Sequence, residues 1–258
     1  MKLFKSEWRK LTYSRSTYGL ILAAAVLASI GSGVMPYVIN KNPGMGFGTL
    51  ADSNIIDSVY GKAAGAYIFA LILGVLLMAG EFRHGTAVAT FLAAPKRSHV
   101  FVAKISLAAI AGALMQLIAT GIGMITAAVV LSFYDNVGSP TDTMLPNTLL
   151  AAVISGAVLA VLGVAVGTLL RNQMIGVVSV LIWMFIVEPI LIFTLPDIGK
   201  WSLTGAISGM LALNISSPRL GVSTDNYLDP VSAAFLLLGY GAVFSVAALL
   251  TTLRRDID

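Results

Sequence analysis

The chain has 258 residues, of which 57% are hydrophobic and only 11% are charged. A water-soluble domain carries about 25% charged residues, so the composition excludes a free-standing soluble protein and indicates an integral membrane protein. No cysteine is present, which excludes a disulfide framework, a thiol nucleophile and a cysteine-ligated metal. The formal net charge is +4, and in a membrane protein its distribution between the two sides of the bilayer matters more than its size.

The first segment, 1–16, predicts an amphipathic helix lying in the membrane interface. Phe4, Trp8 and Leu11 recur at helical spacing, and Lys5 and Arg9 lie one turn apart on another face. Phe4 and Trp8 would anchor this helix, with Trp8 at headgroup depth and the basic side chains on anionic lipid. The alternative is a polar tail that only sets the topology.

Six stretches are long and apolar enough for a helix to cross the hydrocarbon core, which takes about 20 residues. They are 18–39, 61–80, 101–131, 148–170, 174–195 and 231–252. Backbone groups in lipid must pair within their own segment, so the sequence predicts an all-α integral membrane bundle forming a single transmembrane domain, 1–258. Glycines four residues apart, Gly61/Gly65 and Gly163/Gly167, predict packing sites within this bundle.

The basic residues predict the orientation of the bundle. Six spans place both termini on one side, and 12 of the 16 Lys and Arg residues fall in the segments on that side. Because basic residues concentrate in cytoplasmic segments, both termini are expected to be cytoplasmic. The basic excess therefore records orientation and is not a nucleic-acid signal.

The external connections include 40–60 and 132–147, which Gly and Pro mark as loops. The longest, 196–230, contains an apolar run at 206–215 that is too short to span. We expect this run to fold back against the outer helix ends as a short re-entrant or interfacial helix. On the cytoplasmic side, residues 171–173 alone join spans four and five and predict a tight antiparallel hairpin.

The cytoplasmic connection 81–100 reads EFRHGTAVATFLAAPKRSHV. The hydroxyl of Thr86 can cap the first turn of a helix, Phe91 and Leu92 provide an apolar face, and Pro95 ends the helix. The segment therefore predicts a short amphipathic helix. Such a helix either caps the bundle or docks a soluble partner.

This arrangement resembles the membrane subunit of bacterial ATP-binding-cassette exporters of type 2. The resemblance rests on a short pattern in and after the end of span two. An acid and a base (Glu81 and Arg83) precede a Gly-Thr pair (Gly85 and Thr86), and a small-Pro-basic element (Ala93, Pro95 and Arg97) follows Leu92. Lys104, at the start of span three, completes the pattern. It extends over the whole chain, with an N-terminal interfacial helix, six spans and a large last external loop. The resemblance implies that 86–94 is the coupling helix received by an ATPase subunit, and that the chain is a permease of the bacterial cell membrane.

The predicted coupling site has charged and apolar parts. Arg83, Lys96 and Arg97 would fix the register on the ATPase by charge pairing, and Phe91 and Leu92 would anchor the helix. The full set is Glu81, Arg83, Gly85, Thr86, Phe91, Leu92, Pro95, Lys96 and Arg97. The alternative is a solvated basic loop, which explains the charges but not the Gly-Thr pair and the Pro at the two ends of the predicted helix.

The power source must lie in a partner. No G-x-x-x-x-G-K-[ST] motif occurs, so the chain is not expected to hydrolyse ATP itself. His84 and His99 have no second ligand pair nearby, so no metal site is expected, and no cofactor is expected on this chain. The resemblance implies two copies of a separate ATPase subunit, which would bind ATP and Mg²⁺, and a second permease. A homodimer is the simpler arrangement. The cargo would be a drug, an antibiotic peptide or a lipid-like molecule.

Glu188 is the only acid inside a predicted span, and Pro189 follows it. A carboxylate in the bilayer must be neutral, paired or in contact with water. It is therefore a candidate for the translocation pathway together with Pro189, through contact with a cationic substrate or through protonation. The structural interpretation is a hydrogen bond at the proline kink, to Gln116 or Thr120. Competing functions are a proton-coupled secondary transporter using Glu188 and a non-transporting membrane scaffold or sensor.

Overall fold

The computed structural model describes residues 2–42, 48–83, 85, 97–211 and 227–254. Within these ranges the regular structure is entirely helical, and six helices are long and apolar enough to cross a membrane. The predicted all-α bundle with six such helices is thereby confirmed. We number them spans 1 to 6: Arg15–Lys41, Ser53–Arg83, Val100–Leu131, Met144–Leu170, Gln173–Thr194 and Pro230–Leu250.

The described helices are, in chain order, α1 (Lys2–Tyr13), α2 (Arg15–Lys41), α3 (Ser53–Gly61), α4 (Ile68–Arg83), α5 (Arg97–Leu131), α6 (Met144–Leu170), α7 (Gln173–Ile182), α8 (Glu188–Thr194), α9 (Pro196–Gly199), α10 (Leu203–Met210) and α11 (Pro230–Arg254). A 3₁₀ segment, Lys62–Ala66, joins α3 to α4 within span 2. A π-helical turn, Trp183–Val187, joins α7 to α8 within span 5.

Span 2 begins eight residues before the sequence predicts, at Ser53 rather than Gly61. The added helix α3 buries Ile55, Ile56 and Val59 in an apolar cluster with the ends of spans 1 and 3. The 3₁₀ segment that follows is held from span 3, because Gln116 Nε2 donates to the carbonyl of Ala64 at 2.6 Å.

Span 4 lies at the centre of the bundle and packs against spans 2, 3 and 6. Its glycines let neighbouring backbones approach closely: a Cβ at Gly163 would overlap the carbonyl of Leu71, and one at Gly156 would overlap the carbonyl of Gly112. The predicted packing role of Gly163 and Gly167 is confirmed, since both meet span 2. The same prediction is wrong for Gly65, because a Cβ there would meet no atom within 4 Å.

The predicted tight connection between spans 4 and 5 is confirmed. Arg171 takes the left-handed conformation after α6, with φ of 50°, and the side chain of Asn172 accepts from Met174 N and Ile175 N to cap α7. Only these two residues separate the spans.

The segment 196–230 contains the short helix α10, which packs against spans 4 and 6. It buries Ala206, Ile207 and Met210. The helix begins at Leu203, three residues before the predicted apolar run, because Ser202 caps it by accepting from Gly205 N at 3.1 Å. Residues 212–226, which include the end of the predicted run, lie outside the described residues.

Candidate functional site

The predicted coupling helix, 86–94, lies entirely outside the described residues, which omit 84 and 86–96. The assignments of Thr86, Phe91, Leu92, Pro95 and Lys96 therefore stay predictions, as does that of Arg97, the first residue of α5. What the structure describes is the two helix ends that flank this segment, at Arg83 and Arg97.

Span 2 ends at Arg83, and Gly85 follows with φ of 66°. Glycine adopts this left-handed conformation without a Cβ penalty, so Gly85 suits the turn that ends the helix. Arg83 is exposed, and within the described residues its one hydrogen bond is long, 3.4 Å to Gln173 Oε1 of span 5.

A buried ion cluster joins α1 to spans 2 and 3 at these two helix ends. It consists of Glu7 and Lys10 of α1, Glu81 of α4 and Lys104 of α5. Lys104 Nζ lies 2.7 Å from Glu7 Oε2 and 2.9 Å from Glu81 Oε1. Lys10 Nζ contacts the same two acids, at 2.5 Å and 3.2 Å. Two acids and two bases make the cluster formally neutral.

Burial makes the charge balance of the ion cluster important. The side chain of Lys104 is 1% exposed and that of Glu7 is 3% exposed, whereas that of Lys10 is 54% exposed. Burial alone would raise the pKa of Glu7, but Lys104 and Lys10 outweigh it and hold that pKa below its usual value. Burial alone would lower the pKa of Lys10, but Glu7 and Glu81 raise it. Glu7 and Lys10, the two cluster residues in α1, are therefore both charged at neutral pH.

The apolar side of α1 supports this cluster. Leu11 is buried in the main core, Phe4 and Trp8 pack against that core, and the Phe4 and Trp8 rings stack with their centroids 6.3 Å apart. Glu7 lies between them at the i+3 position from Phe4. An acid in the middle of the apolar stripe formed by Phe4, Trp8 and Leu11 is the one sign of this cluster that the sequence carries.

Glu188 forms a second buried site, with 1% of the residue exposed. Its carboxylate accepts from Trp183 Nε1 at 2.8 Å, from Leu203 N at 3.1 Å and from Thr204 N at 2.8 Å. The suggested partners Gln116 and Thr120 are wrong. Gln116 instead donates to span 2, and within the described residues the Thr120 hydroxyl has no partner.

Pro189 accounts for the local backbone. Because proline has no N–H to donate, the ordinary helical ladder is interrupted at this position. The N–H of Glu188 bonds to the carbonyl of Trp183, five residues back, which is the pattern of a π turn. The turn brings the Trp183 indole N–H to the Glu188 carboxylate on the same side of span 5.

The contacts of Glu188 make it a cap for α10. Backbone N–H groups in the first turn of a helix lack partners within the helix and favour a negative charge. Glu188 supplies that charge from span 5, while Tyr67 of span 2 donates to the hydroxyl of Thr204 at 3.3 Å. Tyr240 of span 6 donates to the carbonyl of Trp201 at 2.7 Å. All three partners of the carboxylate are donors, so the site fits a group that only accepts.

Among the described residues, no group of three or more His, Asp or Glu side chains could hold a metal ion. The sequence matches no model of a known protein family, and it matches no curated protein.

Proposed function

We propose that this chain is the permease subunit of a type-2 ATP-binding-cassette exporter. Two permeases, expected to be identical, and two separate ATPase subunits would form an alternating-access pathway for an amphipathic or hydrophobic substrate. One observation carries the proposal. The two helices that flank the motif-bearing segment, α4 and α5, are joined by a buried ion pair in which Lys104 Nζ lies 2.9 Å from Glu81 Oε1.

That arrangement suits the transmission of force. A load on the segment from a nucleotide-driven ATPase would act on the end of α4 and the start of α5 together, because the ion pair couples them. Span 2 passes the load to span 4, against which its backbone packs at Gly74 and Gly163. Lys104 also binds Glu7, so α1 would move with the same helix ends.

The surface charge at these ends favours a docking partner. Arg83 is exposed, and among the described residues it makes just the long hydrogen bond to Gln173, so its guanidinium can pair with an acid on an ATPase. In this scheme α1 lies in the cytoplasmic interface and Trp8 and Phe4 anchor it. Glu81 would act from inside the bundle, positioning the segment without touching the partner.

The contacts of Glu188 favour its structural interpretation over a place in the translocation pathway. A proton on the carboxylate would need an acceptor, and its three partners are all donors. We therefore assign Glu188 and Pro189 to the junction between span 5 and α10. The secondary-transporter alternative loses the residue on which it depends.

Co-purification tests the proposal most directly. A tagged chain expressed in its native host and extracted in mild detergent should bring down a soluble subunit that carries a P-loop and hydrolyses ATP. Recovery of the chain without an ATPase would overturn the exporter assignment. Substrate efflux that persists when ATP is depleted but the proton gradient is kept would assign the chain to secondary transport instead.

The docking surface has its own test. In reconstituted complexes, the double substitution Arg83→Glu/Arg97→Glu should uncouple ATPase activity from export. The control Arg83→Lys/Arg97→Lys keeps the charge and should keep coupling. Normal coupled export by the Glu variant would remove these two residues from the docking surface.

A further inference from the structure

A cavity of about 480 Å³ lies beside the ion cluster, between α1, the start of α2, span 2 and the first residue of span 5. Ligand sites in proteins occupy about 300–1,000 Å³, so a small molecule or a lipid headgroup fits this volume. Glu81 and Lys10 line it together with Ser14, Ser16 and Thr17 at the start of α2. The role proposed above for the chain leaves this cavity unused.

Glu81 lines the cavity, and one of its carboxylate oxygens lacks a hydrogen-bond donor among the described residues. The side chain of Glu81 is 9% exposed, and its Oε1 forms ion pairs with both Lys10 and Lys104. Its Oε2 is buried and has no partner within the described residues. An unsatisfied buried carboxylate oxygen costs more than an unsatisfied neutral group, so this atom calls for a donor, and a cationic donor fits best.

The cavity also offers a place for an anion. It adjoins the N-terminus of α2, a helix of 27 residues whose first N–H groups lack partners within the helix. The Ser14 side chain does not cap that turn, because its Oγ pairs with Ser16 Oγ at 2.6 Å. Lys10, with 54% of its side chain exposed, adds a positive charge at the same wall.

The remaining wall is apolar. Leu73, Leu76 and Leu77 of span 2 line the cavity along the helix. Alongside the polar wall these leucines give the cavity an amphipathic lining. A ligand that places a cation at Glu81, an anion at the start of α2 and a hydrocarbon chain along the leucines matches all three parts.

We propose that this cavity binds an aminophospholipid whose ammonium headgroup carries at least one N–H, such as phosphatidylethanolamine. The ammonium donates to Glu81 Oε2, the phosphate lies at the N-terminus of α2 near Lys10, and an acyl chain follows the leucines of span 2. A zwitterionic headgroup leaves the neutral ion cluster balanced. A quaternary choline headgroup has no N–H to donate, and a glycerol headgroup brings only a neutral hydroxyl. The proposal needs only the isolated chain and does not rest on the exporter assignment.

Lipid binding to the purified full chain tests the headgroup. Native mass spectrometry in detergent would compare phosphatidylethanolamine with its N-methyl, N,N-dimethyl and N,N,N-trimethyl forms and with phosphatidylglycerol, all with the same acyl chains. Binding should persist while one N–H remains and fall at least tenfold at the trimethyl form. Equal binding of the first and last members, or preference for phosphatidylglycerol, would overturn the proposal.

A cavity-filling variant tests the site without changing the charges. Gly80 lines the cavity, and a Cβ there would meet no atom within 4 Å, so Gly80→Leu adds a side chain where space exists. It should lower phosphatidylethanolamine binding at least tenfold. Gly121 of span 3 is equally open and lies away from the cavity, so Gly121→Leu should bind as the unsubstituted chain does. Unchanged phosphatidylethanolamine binding by Gly80→Leu would overturn the proposal, because the lipid would then bind outside this cavity.

Discussion

The substitution Lys104→Met tests the ion cluster. Methionine keeps most of the length of the side chain but removes its charge. Lys104 Nζ makes ion pairs with Glu7 and Glu81 and donates to the carbonyl of Leu77 at 3.3 Å. In the variant, two buried carboxylates share Lys10 alone.

The expected cost follows from the distances and the burial. At an effective dielectric constant of about 20, each lysine–carboxylate pair contributes about 6 kcal/mol before desolvation. Desolvation of the ions offsets most of this gain, but removing one partner leaves the opposite charge buried, which costs about 3–5 kcal/mol. We expect Lys104→Met to lower the free energy of unfolding by that amount. Lys200→Met is the control: in the part of the chain that the structure describes, Lys200 has one ion pair, at 3.6 Å to exposed Asp197, and its loss should cost less than about 1 kcal/mol.

A double-mutant cycle separates the ion pair from general damage. Glu7→Gln in the Lys104→Met background leaves Lys10 and Glu81 as a balanced pair. The double variant should therefore be more stable than the sum of the single effects predicts, by about 1–3 kcal/mol. Unfolding in mixed micelles followed by circular dichroism measures these energies, and trypsin cleavage between residues 9 and 15 reports release of α1. Additive effects, or a Lys104→Met variant within 1 kcal/mol of the unsubstituted chain, would refute the reasoning.

Three further predictions concern packing, capping and pH. Gly74→Ala should destabilise the bundle by about 1–3 kcal/mol or more, because its Cβ would overlap the backbone of span 4, whereas Gly65→Ala should be tolerated; unfolding in mixed micelles measures both. Glu188→Gln should cost about 1–3 kcal/mol and speed hydrogen exchange at the first amides of α10, because its NH₂ group would face other donors. Glu7 should stabilise the folded state above the unfolded pKa of about 4.3, and this stabilisation should be lost as pH falls through its lowered folded pKa. Lys10 should stabilise the folded state below the unfolded pKa of about 10.4, and this stabilisation should be lost as pH rises through its raised folded pKa. Glu7→Gln should flatten the acid limb of the stability curve, and an unchanged acid limb would contradict the assignment.

The spans were predictable from composition because lipid imposes a length and an apolar content on every crossing helix. The start of span 2 was not. The segment 53–61 carries Ser53, Asn54 and Asp57 beside buried Ile55, Ile56 and Val59, so its average hydropathy hides a helix with one buried face. The short helix α10 was predicted in kind but not in position, since its start depends on the side-chain cap of Ser202.

The sites were less predictable than the spans because their partners lie far apart in the chain. Lys104 is 97 residues from Glu7, and a single sequence does not reveal such a pairing. Glu188 stood out as an acid in an apolar span, but two of its three partners are backbone N–H groups of Leu203 and Thr204. Any residue can supply a backbone N–H, so side-chain identity gave no sign of where that carboxylate is held.

The two buried sites hold short helices to the bundle by different means, and this difference predicts which end responds to ligands. The α1 helix is held by ion pairs, and another ion can compete for either partner. The α10 helix is held by its own backbone N–H groups, which donate to the Glu188 carboxylate. These groups carry no full charge, so a competing cation has no charged side chain on α10 to replace. Tyr67, which contacts α10, lies just before the start of α4, and Glu81, which belongs to the ion cluster, lies near the end of α4. The two buried sites are therefore separated along span 2. Salt and charged partners should therefore shift α1 and leave α10 in place, a contrast that hydrogen exchange measured on both helices across a salt series can test.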